Sequence, residues 1–569
     1  MTPRSPDKAH AFIDAALVIP GYANLYGKSA TFDGLLRVLR LFSAADWLSY
    51  LSRLQTALAP PRQYSADAIA QTYKGVVGPR TAAALQAFQQ RSPKGMRLGL
   101  FVERQISTLQ QLVIQHAPET ADRGFGKPGE LDALCDALLI TWDLMCPNRD
   151  SRKKQEVFAS LLQDVARTEG ESPERLATRA FHFYQFHRRD PSGPALKLRE
   201  LFQAATGVSI LDYLLGGLVV TVHERKKSPD ELAERWEALP APGERANPTE
   251  GRLVETFYRV RSRTLAQIRE AIDKWDDKRE IAEYSLIGVA KHPVVELHDV
   301  GRFTLNLGDL AVSLCDGIRH EIITYALANQ TDQLNPQALG REFGALWEEY
   351  AHELLSAAFG DRLVPLPEVG DERRADYLIV YPDSVVILEL KSGMFLAKRH
   401  CSLLSLGERR EELKKIDVPK AADQLRATIS ALRSGEFRDD RVPAYDWTVT
   451  PITAVIFSVE PVPLVWGIWE EIAALLSSLD DLGGAGPVTR VRFLSPVDVE
   501  NLPDLVEVAD FGQVLRAWGH DPNQFERPLA SYLESQGIEV ATNCFKRRYA
   551  GVLKIMASKL GLDVSELEF

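Results

Sequence analysis

The segment ADYLIVYPDSVVILELKSG, residues 375–393, holds two runs of β-branched, aromatic and aliphatic residues separated by Pro382 and Asp383. Such runs around a turn pair read as a β-hairpin. A turn centred between Pro382 and Asp383 pairs 380 with 385 and 379 with 386, and the same register brings 376 opposite 389. Proline cannot take the positive φ of the tightest hairpin turns, so a four-residue loop from Tyr381 to Ser384 is expected, with the register unchanged. Asp376 and Glu389 then become cross-strand neighbours with Cβ atoms about 4.5–5.5 Å apart. Lys391, two residues on, shares their face. Leu388 and Leu390 point the other way, and with Val385 and Ile387 they mark a strand buried on both faces. Two acids and a lysine are costly to bury unpaired. A divalent cation held between Asp376 and Glu389 relieves that cost, and all-oxygen ligands suit Mg²⁺ or Mn²⁺.

The rest of the chain sets the context. With 569 residues it is too long for one core and suggests about three or four domains. Residues 1 to about 335 carry 3.6-residue hydrophobic periods, as in LLRVLRLFSAADWLSYLSRLQTAL and RLVETFYRVRSRTLAQIREAIDKW, so helix bundles are expected there. The Pro/Gly/polar stretch Leu239 to Gly251 reads as a linker, and NQTDQLNP, Asn329 to Pro336, as a second break. Beyond it the pattern becomes helix, strand, strand, helix, strand. The expected organisation is a helical region over 1–120, a helical domain over 121–238, a helical or mixed connecting domain over 252–335, an α/β domain over 336–500, and a small helical appendage over 501–569.

Upstream of the hairpin, LGREFGALWEEYAHELLSAAFG (339–360) projects as a helix with Phe343, Trp347, Tyr350 and Leu354 on its buried stripe. Glu348 borders that stripe, and Glu349 lies further round. Downstream, PKAADQLRATISALRSG (419–435) is an amphipathic helix carrying Gln424, and WTVTPITAVIFSV (447–459) reads as another core strand. A solvent-facing glutamine is the alternative reading of Gln424.

The D-x12-E-x-K arrangement, with these flanking elements, resembles the PD-(D/E)XK nuclease superfamily over about residues 336–470. The residue before Asp376 is Ala375 instead of the eponymous proline. The resemblance implies a mixed-sheet α-β-β-α-β core of restriction-endonuclease-like type. It also implies a metal-shell glutamate at Glu348, metal ligands at Asp376 and Glu389, a catalytic Lys391, and a Gln424 like that of RecB-like members. Phosphodiester hydrolysis calls for this set, because charge on the phosphate must be neutralised and a water made nucleophilic and held.

Within the helical half, GVVGPRTAAALQAFQQ resembles a peptidoglycan-binding-like three-helix domain over residues 47–113, carried by Gly75, Gly78, Pro79, Thr81, Ala84, Phe88 and Gln89. The second half-repeat keeps only Gly99, Thr108 and Leu109. Gly78 followed by Pro79 is also simply a good helix start. A small helical interaction module fits this position better than a wall-binding one.

The net charge of −11 gives no overall attraction to nucleic acid, so binding needs a local basic surface. Lys391 to Arg426 holds nine Lys or Arg against five Asp or Glu, the right local sign, although a solvated charge run reads the same way. His352, four residues after Glu348, reads as a surface histidine. GKSATFDG lacks the first glycine of a phosphate loop. CFKRRYAGVLK (544–554) mixes basic and aromatic residues and reads as a solvated helix face or a phosphate contact.

Five scattered cysteines without a CxxC pair argue against disulfide or zinc frameworks, and the N-terminus has no secretory apolar run. The expectation is a cytoplasmic, membrane-free nuclease acting on DNA ahead of RNA, in genome defence or DNA processing, with a protein partner on its helical half. The alternative is a non-catalytic subunit that uses a nuclease-like fold to bind nucleic acid or a partner.

Overall fold

The computed structural model describes residues 20–58, 77–92, 103–121, 128–145, 172–185, 194–226, 247–275, 287–297, 301–329, 334–366, 374–393, 411, 418–437, 439–459, 488–520 and 529–562. The chain forms two compact units interleaved along the sequence. One comprises Met1–Ala177, Leu211–Ile318 and Ala397–Leu403; the other comprises Thr178–Ile210, Arg319–Leu396 and Leu404–Phe569. Among the described residues no single helix is long and apolar enough to cross a membrane.

The first unit is built on α1 (Ala44–Leu58), α2 (Pro79–Arg91), α3 (Glu103–His116) and α4 (Pro128–Met145). Trp47, Leu51, Leu109, Val113, Leu134 and Leu138 bury one face of three of them together. Pro79 is the first helical residue of α2, with Gly78 as its cap. Unpaired donors at the start of the helix are met from α4: Asp132 accepts both the backbone N–H and the hydroxyl of Thr81 at 2.9 Å. A Cβ on Gly78 would lie 2.3 Å from Asp132 Oδ1, so the approach requires glycine. Asp132 lies outside the 47–113 window, and Gly75 and Gly99 lie outside the described residues.

Two periodic runs that read as continuous helix are interrupted. The first breaks at Ser43, whose hydroxyl accepts the Asp46 N–H at 3.1 Å and caps α1. In the second, following α5 (Ile210–Lys226), α6 (Pro248–Arg261) stops and Ser262–Thr264 forms β1 before α7 (Leu265–Trp275) begins. Strand β1 pairs parallel with β2 (Val294–Leu297), which pairs antiparallel with β3 (Gly301–Thr304). Strands of three or four residues are too short to raise an alternating pattern above the helical one. The linker also ends sooner than its composition suggests, because Asn247 caps α6 and Pro248 opens it.

In the second unit, Asn335 and Pro336 end the predicted break by capping and opening α8 (Pro336–Phe359). Then follow β4 (Leu363–Pro365), β5 (Tyr377–Val380), β6 (Val385–Lys391), α9 (Val418–Ser434), β7 (Ile452–Ser458) and β8 (Val488–Leu494). The five strands lie in chain order, the first two pairings antiparallel and the last two parallel. This is a mixed α/β sheet with two strands, β4 and β8, beyond the expected α-β-β-α-β pattern.

Its two faces are covered differently. Val386, Leu388 and Leu390 pack against Trp347, Tyr350 and Leu354 of α8. Val385 and Ile387 pack on the other face against Ala421, Leu425 and Ile429 of α9. The α8 stripe is buried as its periodicity indicated, with Trp347 only 1% exposed. Residues beyond 500 are part of this unit's packing: α10 (Pro496–Val508), α11 (Phe511–His520) and α12 (Leu529–Ser535) contribute Leu502, Leu505, Phe511, Trp518 and Tyr532 to the α8 side of the core. The last helix, α13 (Asn543–Leu560), follows them.

Behind α8 sits a buried ionic group that the sequence did not reveal. Glu500 Oε1 accepts from Arg179 Nε at 2.7 Å and from the Tyr350 hydroxyl at 2.9 Å, with Arg179 and Glu500 both nearly inaccessible. Burial, then the Glu500 charge, holds the Tyr350 hydroxyl well above its ordinary value. Removing one partner of such a group leaves an ill-compensated charge in the interior. Glu500→Ala is expected to destabilise this unit by about 3 kcal/mol or more, read by denaturant unfolding. A loss below about 1 kcal/mol would show that the buried arginine is not held by this carboxylate.

Candidate functional site

Over Tyr377–Val380 the hairpin has the register inferred from its turn, and the pairing ends there, so Asp376 and Glu389 are not ladder partners. Tyr377 pairs with Leu388, Leu378 with Ile387, Ile379 with Val386, and Val380 with Val385, and Tyr381 N–H donates to Ser384 O at 3.0 Å across the loop. One step beyond the paired region, Asp376 N–H donates to Leu388 O at 3.0 Å. The Asp376 carboxylate turns back onto the partner strand, where Oδ2 accepts the Leu390 N–H at 2.6 Å. Asp376 is thus fixed to β6 by its backbone and by its side chain.

All seven residues of β6 are buried, Glu389 and Lys391 among them. Strand alternation puts both on the face covered by α9. Lys391 Nζ donates to Glu389 Oε1 at 2.5 Å and to Gln424 Oε1 at 2.7 Å. Gln424 Nε2 in turn donates to the Arg374 carbonyl at 3.0 Å. That pattern fixes the amide's orientation, since the reverse would set NH₂ against an ammonium and oxygen against a carbonyl. Gln424 is therefore a bridge between the lysine and the backbone leading to Asp376, and the surface-glutamine reading is set aside.

The second oxygen of Glu389, Oε2, is buried with no hydrogen-bond partner. Burial first, and then the Asp376 charge, push the Glu389 carboxyl up to about 8, against the opposing pull of Lys391 and Lys420. A buried carboxyl with one unsatisfied oxygen beside a second carboxylate is suited to a hard divalent cation, which would favour the charged form of both. Asp376 and Glu389 are the residues able to hold it. Among the described residues no three His, Cys, Asp or Glu side chains converge closely enough to form a metal cluster, so the site rests on a pair of acids.

Glu348 comes from the other side of the sheet. It is exposed on α8, one turn after Gly344, whose Cβ position lies 3.0 Å from Ser392 Oγ, next to Lys391. Glu348 meets the site at Tyr377. Burial, then the charges of Asp376 and Glu348, hold the Tyr377 hydroxyl up to about 12. Glu349, the neighbouring choice, is partly buried. His352 is exposed, and its ring stacks on Tyr377 at 5.7 Å.

Sequence reasoning passed over Lys420 and Thr428, which form one row on α9 with Gln424 at four-residue intervals. Only their spacing from Gln424 could have pointed to them. Of the basic run from Lys391 to Arg426, only Lys391, Lys420 and Arg426 are among the described residues. Comparison with protein-family models, curated proteins and solved structures finds no match to this chain.

The raised Glu389 value gives a signed expectation for the metal-free protein. A carboxyl that binds its proton more tightly when folded contributes stability in full below its ordinary range, near 4.5. That contribution is lost as pH rises to about 8. Denaturant unfolding without divalent ions should show stability falling across this window, and Glu389→Gln should flatten the fall. Equal slopes for the two proteins would remove Glu389 as its cause.

Proposed function

We propose that this chain is a metal-dependent nuclease of PD-(D/E)XK type that hydrolyses phosphodiester bonds of DNA, with RNA as the second substrate class. The observation that carries the reading is the buried, half-satisfied Glu389 carboxyl, joined to Lys391 on β6 and within electrostatic reach of Asp376. An acid in that state lowers folding stability, and its retention makes sense where a cation and substrate use it.

In this reading Asp376 and Glu389 hold Mg²⁺ or Mn²⁺, which when bound acidifies a water and offsets charge on the phosphate. Lys391 holds that water and the developing negative charge. Gln424 aims Lys391, and Glu348 supplies a further carboxylate from α8. Ala375 occupies the position where the family name carries proline. The helical first unit, with its α2 module, serves as the surface for a protein partner, and genome defence or DNA processing is the setting that such an architecture suggests by analogy.

A nucleic-acid-binding scaffold without catalysis is the second reading. Two observations favour it: among the described residues no three acids or other ligand side chains converge, and Lys391 already neutralises Glu389. Calorimetry separates the two, because the catalytic reading requires Mg²⁺ or Mn²⁺ uptake that depends on Asp376 and Glu389.

Purified protein is expected to cut plasmid or linear duplex, single-stranded DNA or RNA with Mg²⁺, and to stop in EDTA. Asp376→Ala and Lys391→Ala should each lower the rate at least about a hundredfold. Normal cutting by either variant would mean that the site lies elsewhere.

A further inference from the structure

Thr428 lies one turn beyond Gln424 on α9 and is 2% exposed. Its hydroxyl donates to the Gln424 carbonyl at 2.9 Å, which by itself is commonplace in helices. In this chain Thr108, Thr141, Thr206, Thr221 and Thr256 do the same. What sets Thr428 apart is the bond it accepts, from the Ala375 N–H at 2.8 Å, 53 residues away in sequence. Thr206 also accepts, but from its near neighbour Val208.

Ala375 is 1% exposed, so its N–H has no recourse to water if this partner is lost. With Gln424 Nε2 on the Arg374 carbonyl, α9 grips two consecutive residues just before Asp376. On the other side Asp376 is gripped by β6 through Leu388 O and Leu390 N–H. The carboxylate's place beside Glu389 is set between these two holds.

We propose that Thr428 is a positioning residue for the acid pair, holding Asp376 over Glu389 through the Ala375 peptide. This rests on the nuclease reading for its consequence in catalysis, but its structural content stands apart from it. The hydroxyl is needed for its lone pair as well as its hydrogen, so serine can replace it and valine, of the same shape, cannot.

Thr428→Val is expected to speed amide exchange at Ala375 about tenfold or more. It should also weaken Mn²⁺ affinity in calorimetry and lower kcat, each by about tenfold or more, with KM for DNA little changed. Thr428→Ser should restore all three. The decisive variant is Ala375→Pro, which deletes the N–H that needs a partner. In that background Thr428→Val should have little further effect on Mn²⁺ affinity, whereas a general packing defect would persist undiminished. Equal harm in both backgrounds, or unchanged exchange, Mn²⁺ affinity and kcat in Thr428→Val, overturns the proposal while leaving the nuclease reading intact. A wild-type chain that neither takes up Mn²⁺ through Asp376 and Glu389 nor cuts DNA overturns the nuclease reading alone, and amide exchange at Ala375 then decides the proposal, which falls if exchange in Thr428→Val is unchanged.

Discussion

Everything in the second unit depends on the pairing of β5 with β6. The side-chain period of a strand is two, so a slip of one residue would move Glu389 and Lys391 from the α9 face to the α8 face and send Leu388 and Leu390 the other way. The apolar partners on both faces forbid that slip: Trp347 and Leu354 on one side and Ala421 and Leu425 on the other need the aliphatic residues where they are. The charged group is thereby forced into one place. Its burial is a by-product of register, and its chemistry follows from burial.

Seen this way, the lysine, the glutamine and the threonine are successive answers to one electrostatic problem. Lys391 compensates one oxygen of Glu389, Gln424 satisfies Lys391 and a backbone carbonyl, and Thr428 satisfies the next amide along. The chain of bonds runs from the sheet into α9 and back to the sheet. One atom is left over, Glu389 Oε2. Other buried carboxylate oxygens share that state, those of Asp136, Asp212, Glu224, Glu342 and Glu349 among them, and what sets Glu389 apart is the lysine and the second acid beside it.

The α8 stripe was legible because it is a long, periodic pattern, and the hairpin because an apolar run on each side of a turn pair sets its own register by local rules. Pro382 and Asp383 mark a turn, the turn sets the register, and the register sets who faces whom. Three things escaped for physical reasons. β4, with Leu363, Val364 and Pro365, is too short to show alternation, and its place is settled by pairing with β5. The contribution of Thr428 lies in one long-range hydrogen bond, and no spacing in the sequence encodes a partner 53 residues away. The ion pair of Arg179 with Glu500 likewise joins residues 321 apart. Both charges look like surface residues in any window of the chain.

β6 is the third of five strands, with an antiparallel neighbour on one side and a parallel one on the other. Such a strand has no free edge at which to fray, so its amides are expected at the slow-opening end of the unit. Glu389 and Lys391 are mounted on this doubly paired, fully buried strand. Any rearrangement on binding a ligand is therefore expected to fall to the flanking helices α8 and α9, with the strand between them acting as a fixed anvil.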